Sequence, residues 1–183
     1  MAPENRTKRD IFEALLALAH EKPLDSLSVK EICERACVSR QTFYTHFADK
    51  YDATTWFVLD YLRGTMRGLG TEYGWREAYR RVFSFVESNA AVFAFLTESE
   101  DRNSITETTL RTSRDDFTYS YMRRYGEEPG DLIAFQIRHF ALLTCTIPSE
   151  WAKGGCPWGV EGFLERFITL IPGELHEALD VAD

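Results

Sequence analysis

At 183 residues the chain suits one domain, or a small domain joined to a medium one. Its 44% hydrophobic and 14% aromatic content supply a core and exclude a disordered chain. A net charge of −8 excludes generic coating of nucleic acid through bulk positive charge. Neither residues 1–60 (8 Lys/Arg, 10 Asp/Glu) nor residues 61–183 (13 and 19) are basic, so any affinity for nucleic acid must come from local placement. The first residues, MAPENRTKRD, are polar and charged, and no stretch approaches the ~18 apolar residues of a membrane span. The expectation is a cytoplasmic protein without a membrane partner, whose cysteines (Cys33, Cys37, Cys145 and Cys156) are reduced.

Strand-like alternation is nearly absent, and the pattern predicts an all-α chain of about nine helices. Ile11, Phe12, Leu15, Leu16, Leu18 and Ala19 recur at helical spacing and predict a first helix over Thr7–Glu21, with Thr7 and Asp10 as a capping box and Lys22-Pro23 as its end. Ser28 with Glu31 fits a capping box for a second helix, Val29 to about Ala36. After a tight turn at Cys37-Val38, Ser39 caps a third helix over Arg40–Phe47, and Asp49 caps a fourth from Lys50 to about Arg67. A break over Gly68–Gly74 precedes helices at Trp75–Glu87, Ala90–Thr97, Ser104–Tyr125, Gly130–Lys153 and Val160–Ile171, followed by a short tail. The acidic cluster Glu98, Glu100 and Asp101 reads as a solvated loop. The organisation is an N-terminal three-helix domain over residues 1–50 and a helical regulatory and dimerisation domain over 51–183.

The segment from Ser28 to Phe47 reads as helix, turn, helix. Ala36 is small enough for close approach, Val38 fills the turn from inside, and Phe43 and Phe47 anchor the second helix at i and i+4. Arg40, Gln41, Thr42, Thr45 and His46 are then left to face outward. Arg pairs bidentately with guanine, Gln with adenine, and Thr meets a thymine methyl, so such a helix suits the major groove of double-stranded DNA. Tyr44 and His46 suit backbone phosphates, Lys50 opens a helix whose unpaired N–H groups favour an anion, and Arg6, Lys8 and Arg9 are within reach of a phosphate or the minor groove.

The run Ala36-Cys-Val-Ser-Arg-Gln-Thr-Phe-Tyr-Thr-His-Phe-Ala-Asp-Lys50 resembles the signature of the tetracycline-repressor (TetR) family of transcription regulators over about 45 residues. The resemblance implies that Arg40, Gln41 and Thr42 lie near bases and that Tyr44, His46 and Lys50 lie near phosphates; Ser39 and Thr45 complete the DNA-binding candidates. One departure is Cys37, where the family usually has Gly. If that position needs a left-handed backbone, Cys costs roughly 1 kcal/mol. Asp131-Leu-Ile-Ala-Phe-Gln-Ile-Arg-His-Phe, followed by Glu150-Trp-Ala-Lys-Gly-Gly, is similar to a subgroup that includes an activator of dihydroxyacetone-kinase genes, in which a kinase-like partner protein senses the metabolite.

The Gly130–Lys153 helix is apolar nearly all round and must be covered on two sides. One side suits its own domain and the other a second subunit, with the Val160–Ile171 helix as companion. The family resemblance implies the same four-helix dimer interface. A homodimer would read a palindromic operator. Pro148 predicts a kink near Thr144.

Trp56, Tyr79, Phe83, Phe93, Phe95, Phe117, Tyr121 and Phe140 lie along the middle helices. Tyr79, Phe83, Phe117, Tyr121, His139, Phe140 and Thr144 are the candidate lining of a small-molecule effector pocket, and ordinary core packing is the alternative. Control by a protein partner, with no pocket, is the rival expectation. No glycine-rich phosphate loop, H-E-x-x-H or G-x-S-x-G is present, so no catalytic residue, cofactor or metal site is expected. Cys33 and Cys37 lack further ligands at metal-binding spacing and read as small hydrophobes.

Overall fold

Local signals set most of the helix boundaries. In the computed structural model, which describes residues 3–98 and 102–181, ten α-helices follow one another: α1 (Pro3–Ala19), α2 (Val29–Arg35), α3 (Arg40–His46), α4 (Lys50–Met66), α5 (Trp75–Ser88), α6 (Ala90–Glu98), α7 (Arg102–Tyr125), α8 (Asp131–Lys153), α9 (Gly159–Ile168) and α10 (Gly173–Leu179). A 3₁₀ turn, Leu24–Ser26, joins α1 to α2. No strand occurs among the described residues. Of the acidic cluster, Glu100 and Asp101 lie outside what is described, as do the side chains of Glu98 and Phe95.

The capping box at Ser28 is complete. Its hydroxyl accepts from the Glu31 amide, and the Glu31 carboxylate accepts from the Ser28 amide. Asp49 and Asp52 make a similar reciprocal pair at α4, with the Asp52 amide donating to Asp49 at 2.8 Å and the Ala48 amide to Asp52 at 2.9 Å. Two expectations need correction. The first helix begins at Pro3, so Thr7 and Asp10 are interior positions and not a cap; proline is tolerated in a first turn, where the missing N–H has no partner anyway. The tail after the ninth helix folds as α10, which buries Leu175 and Leu179.

The chain divides into two compact units, 1–60 and 61–183, with the division inside α4. In the first unit, Ile11, Phe12, Leu15 and Leu18 of α1 pack with Leu24, Leu27, Ile32, Phe43, Phe47, Ala53 and Val58, all buried. Full burial of each large side chain contributes about 1.5–3 kcal/mol.

The second unit is built around rings. Trp75, Tyr79 and Phe83 of α5 meet Phe117 of α7, Phe140 of α8 and Phe167 of α9, with centroids 4.6 to 6.3 Å apart. Trp151 stacks on Phe163 at 4.3 Å. The C-terminus is tied to α5: the Trp75 indole donates to the His176 carbonyl at 3.0 Å and the Trp75 amide to Asp180 at 3.4 Å. Gly74 allows a close approach here: a Cβ would meet the Val181 main-chain carbonyl at 2.9 Å as well as the Asp180 carboxylate.

Against the expectation that no stretch approaches a membrane span, helix α8 is long and apolar enough to cross a membrane by length and composition. It runs unbroken through Pro148. Ile137, Phe140, Ala141, Pro148, Trp151 and Ala152 make its buried face, while Leu132, Phe135 and Leu142 on the other are 55%, 61% and 46% exposed. With His139, these outer positions repeat at three- and four-residue intervals, the spacing of a helix–helix seam.

Candidate nucleic-acid interface

Helix α3 is short, so its pose depends on what holds it. Ser39 caps it, the Ser39 hydroxyl accepting from the Thr42 amide at 2.9 Å and lying 2.8 Å from the Thr42 hydroxyl. On the inner side Phe43 is 0% and Phe47 3% exposed, their centroids 5.9 Å apart, and Trp56 covers Phe47 at 5.8 Å. On the outer side Arg40, Gln41, Tyr44 and Thr45 are exposed and Thr42 and His46 are half-buried. The structure therefore brings the expected base-reading residues together on one face. Two of their hydroxyls are engaged: Thr42 with Ser39, and Thr45 with the Gln41 carbonyl at 2.9 Å. Among the described residues the Arg40 and Gln41 side chains make no hydrogen bond or ion pair, and the Tyr44 ring, 57% exposed, lies edge-on to Phe43.

The turn before α3 carries the departure noted above. Cys37 has φ 56°, a left-handed backbone that a non-glycine residue adopts at a cost of roughly 1 kcal/mol. The Val38 amide reaches back to the Cys33 carbonyl at 3.0 Å and closes the turn. Cys33 is buried and desolvation raises its thiol pKa; Cys37 is exposed.

Salt bridges tie α2 to the segment that follows α1. Lys22 reaches Glu31 at 2.5 Å and Arg35 reaches Glu21 at 2.7 Å. The Lys22 and Ser28 hydrogen bonds hold the Glu31 carboxyl down to about 2.

Three of the basic residues expected at phosphates, Lys50, Lys8 and Arg9, have partners within the first unit. The Lys50 ammonium donates to the carbonyls of Leu24, Asp25 and Leu27 at 2.8, 2.6 and 3.0 Å, which occupies its three N–H donors in this conformation. Burial lowers its pKa. Lys8 lies over the rings of Phe47 and Trp56, and Arg9 pairs with Asp60 at 3.6 Å, so both belong to the packing of the first unit; Arg6 is exposed.

The effector-lining candidates separate. Tyr79, Phe83, Phe117 and Phe140 come together in the aromatic core. Thr144 is half-buried and donates to the Ala141 carbonyl, while Tyr121 lies against Tyr125 at 4.6 Å. His139 does not join the core: it is exposed on α8, its Nδ1 2.8 Å from the Phe135 carbonyl. None of the candidates lines the open cleft of about 490 Å³ formed by Glu72, Tyr73, Gly74, Arg76, Glu77, Arg80 and Val181. The Tyr79 hydroxyl has no hydrogen-bond partner among the described residues.

One cluster has no counterpart in the sequence reading. The buried face of α7 is largely polar: Thr112, Asp116 and Ser120 are 7%, 3% and 0% exposed. Asp116 lies 3.8 Å from Arg63 and 3.7 Å from Arg67, and Ser120 donates to the Met66 carbonyl at 2.8 Å. Burial pushes the Asp116 carboxyl up to about 6 against the opposing pull of the two guanidinium groups. The available signal was the row 109, 112, 113, 116, 120 of hydroxyl and acid residues at helical spacing, where an inward face is ordinarily apolar.

A four-residue turn, Ala36–Ser39, between two short capped helices, with an apolar inner face and Arg and Gln outside, defines a helix-turn-helix. Residues 8–52 match the family profile described as "Bacterial regulatory proteins, tetR family". The whole chain has the fold of solved proteins of that kind. It is similar to the dihydroxyacetone kinase operon activator DhaS (17% identity, TM-score 0.69, 96% of this chain and 98% of that one). It is also similar to the TetR family repressor AlkX of Dietzia sp. strain DQ12-45-1b, implicated in biodegradation of n-alkanes (15%, 0.62, 96% and 99%). A third similarity is to a protein of Mesorhizobium loti MAFF303099 described as a TetR-family transcriptional regulator (20%, 0.55, 99% and 100%). No curated protein sequence matches the chain. Residues 8–52 thus match the TetR-family profile, and the chain has the all-helical fold of these solved TetR-family proteins.

Proposed function

We propose that this chain is a cytoplasmic, sequence-specific transcription regulator that binds a palindromic operator as a homodimer. The observation that carries this is the outward face of α3. Arg40 and Gln41 are the base-reading residues, Thr42 and Thr45 add methyl contacts, and Tyr44, His46 and Ser39 position the helix on the phosphate backbone. The exposed row Leu132, Phe135, His139 and Leu142 on α8 supports a second copy as its cover, with α9 beside it. Two recognition helices then read two half-sites at fixed spacing.

Control by a small-molecule effector is the first reading for the second unit, with the unpartnered Tyr79 hydroxyl as its polar anchor. Control by a protein partner is the second reading, favoured by the close mutual packing of the rings that were to line a pocket. In either case the controlling molecule must favour one arrangement of the two recognition helices, and its coupling to DNA is reciprocal.

Selection of genomic fragments by the purified protein tests the proposal. The expected result is an enriched palindrome bound with a steep salt dependence, and Phe135→Arg should yield a monomer with much weaker binding. Fragments no more enriched than random DNA would overturn it.

A further inference from the structure

Several arginines of the second unit meet acceptors at short range. Arg76 holds Glu165 through bonds of 2.7 and 3.0 Å, Arg80 reaches Glu161 at 2.7 Å, Arg81 reaches Glu77 at 2.7 Å and Arg123 reaches Glu72 at 3.1 Å. Arg63 and Arg67 depart from this pattern. Their Nε atoms converge on one oxygen of Asp116 at 3.8 and 3.7 Å, ion-pair distances longer than a hydrogen bond. Two guanidinium groups, each with five N–H donors, thus share a single carboxylate oxygen.

The pair is held as a fork. Four residues apart on α4, the two side chains leave the same helix face about 6 Å from each other. Asp116, 3% exposed, lies between them, the Tyr119 ring lies 4.7 Å from the Arg67 guanidinium, and Arg123 donates to the Arg67 carbonyl at 3.0 Å. Outward, the Arg63 and Arg67 side chains are 47% and 49% exposed. A fork ordered in advance by a buried acid loses little freedom when it takes a ligand.

Charge selects the ligand. Among the described residues, the charged groups acting on Asp116 are Arg63 and Arg67 from α4 and Asp115 from its own helix, and burial raises its carboxyl to about 6 against the pull of both arginines. Once that carboxyl is protonated, two positive charges stand without a counter-ion. A dianion with several oxygens balances both and supplies the missing acceptors.

We propose that Arg63 and Arg67 form a binding site for a tetrahedral dianion, a phosphate monoester, whose oxygens take the guanidinium N–H donors while Asp116 withdraws as counter-ion by accepting a proton from solvent. The site is separate from the ring core around Tyr79 and does not depend on the reading of α3. A bound dianion beside Asp116 favours its protonated form, so binding takes up a proton. Affinity therefore strengthens as pH falls towards about 6 and levels off below it.

The test follows the Nε–Hε NMR signals of Arg63 and Arg67 in the full chain, with ionic strength fixed by chloride. The first probe is sulfate, a tetrahedral dianion that does not itself titrate in this range. Both signals should shift saturably, with affinity rising by up to about tenfold per pH unit between about pH 8 and 6. At about pH 8, methyl phosphate should bind like sulfate, and dimethyl phosphate, a monoanion like the nucleic-acid backbone, at least about tenfold more weakly. Arg63→Gln and Arg67→Gln should each weaken sulfate binding by at least about tenfold. Asp116→Asn should bind sulfate at least as tightly as the wild type and lose the pH dependence. Shifts that do not saturate, equal affinity for the two phosphate esters, or wild-type affinity in both arginine variants would mark general charge attraction and overturn the proposal. So would loss of sulfate binding in folded Asp116→Asn. A wild type whose sulfate affinity ignores pH would overturn it without any variant.

Discussion

The two units of this chain solve the burial of polar groups in opposite ways. In residues 1–60 polar side chains serve the backbone: Ser28 and Glu31, Ser39, Asp49 and Asp52 cap helices, and Lys50 fills a carbonyl cradle. The core behind them is apolar. In residues 61–183 an ionisable group sits inside: Asp116, 3% exposed between Arg63 and Arg67, on a helix whose inward face also buries Thr112 and Ser120. Capping fixes the helix ends of the first unit with few residues. A buried acid costs stability unless its charge is paired and hydrogen-bonded.

The largest expected effect lies in the core of the first unit. Phe43→Ala should cost about 3–5 kcal/mol and unfold the first unit, whereas Phe135→Ala, on the exposed face of α8, should leave monomer stability within about 0.5 kcal/mol. Thermal denaturation of the two variants measures the difference.

Acid titration sharpens the contrast next, because the signs oppose. Glu31 is held down to about 2, so its contribution is present above the ordinary range near 4.5 and is lost as pH falls towards 2. Asp116 is raised from 3.8 to about 6, so the folded state binds the extra proton, and stability rises as pH falls through 6 towards 3.8. The window between pH 6 and 4.5 isolates Asp116, whose full effect is about 3 kcal/mol at about 1.36 kcal/mol per pKa unit. Asp116→Asn should flatten the profile there while leaving the loss at lower pH in place; urea denaturation at stepped pH reads both.

Tyr79→Phe removes a hydroxyl without a hydrogen-bond partner among the described residues and should stabilise the second unit by about 1–2 kcal/mol, seen as a higher Tm. A loss of stability would mean that the hydroxyl is satisfied in solution. The smallest effect belongs to the turn. Cys37→Gly should relieve the left-handed strain at φ 56° and gain about 1 kcal/mol in the first unit, with no change in the outward face of α3.

The first unit was the more legible half. Its caps and its two phenylalanines are local signals, and they fixed α2, α3 and the start of α4. What sequence could not give was the direction of a flexible side chain. Lys50 stands at a helix N-terminus in a family motif, and only the folded 3₁₀ turn reveals the carbonyls that take its donors. In the second unit, the long helices were legible from apolar periodicity, but α10 was not, because seven residues with Leu175 and Leu179 as anchors carry too little periodicity. The candidate effector residues were chosen for aromaticity. Aromaticity does not distinguish a cavity lining from a packed core, and it gave no warning that His139 faces outward.

The most direct test of the central claim is the affinity of the wild type and of Arg40→Ala for the selected operator and for operators changed one base pair at a time. The account predicts that the variant loses about 1–3 kcal/mol of discrimination at one position in each half-site, with unchanged thermal stability. Equal discrimination at every position by both proteins would contradict the assignment of α3 as the element that reads DNA.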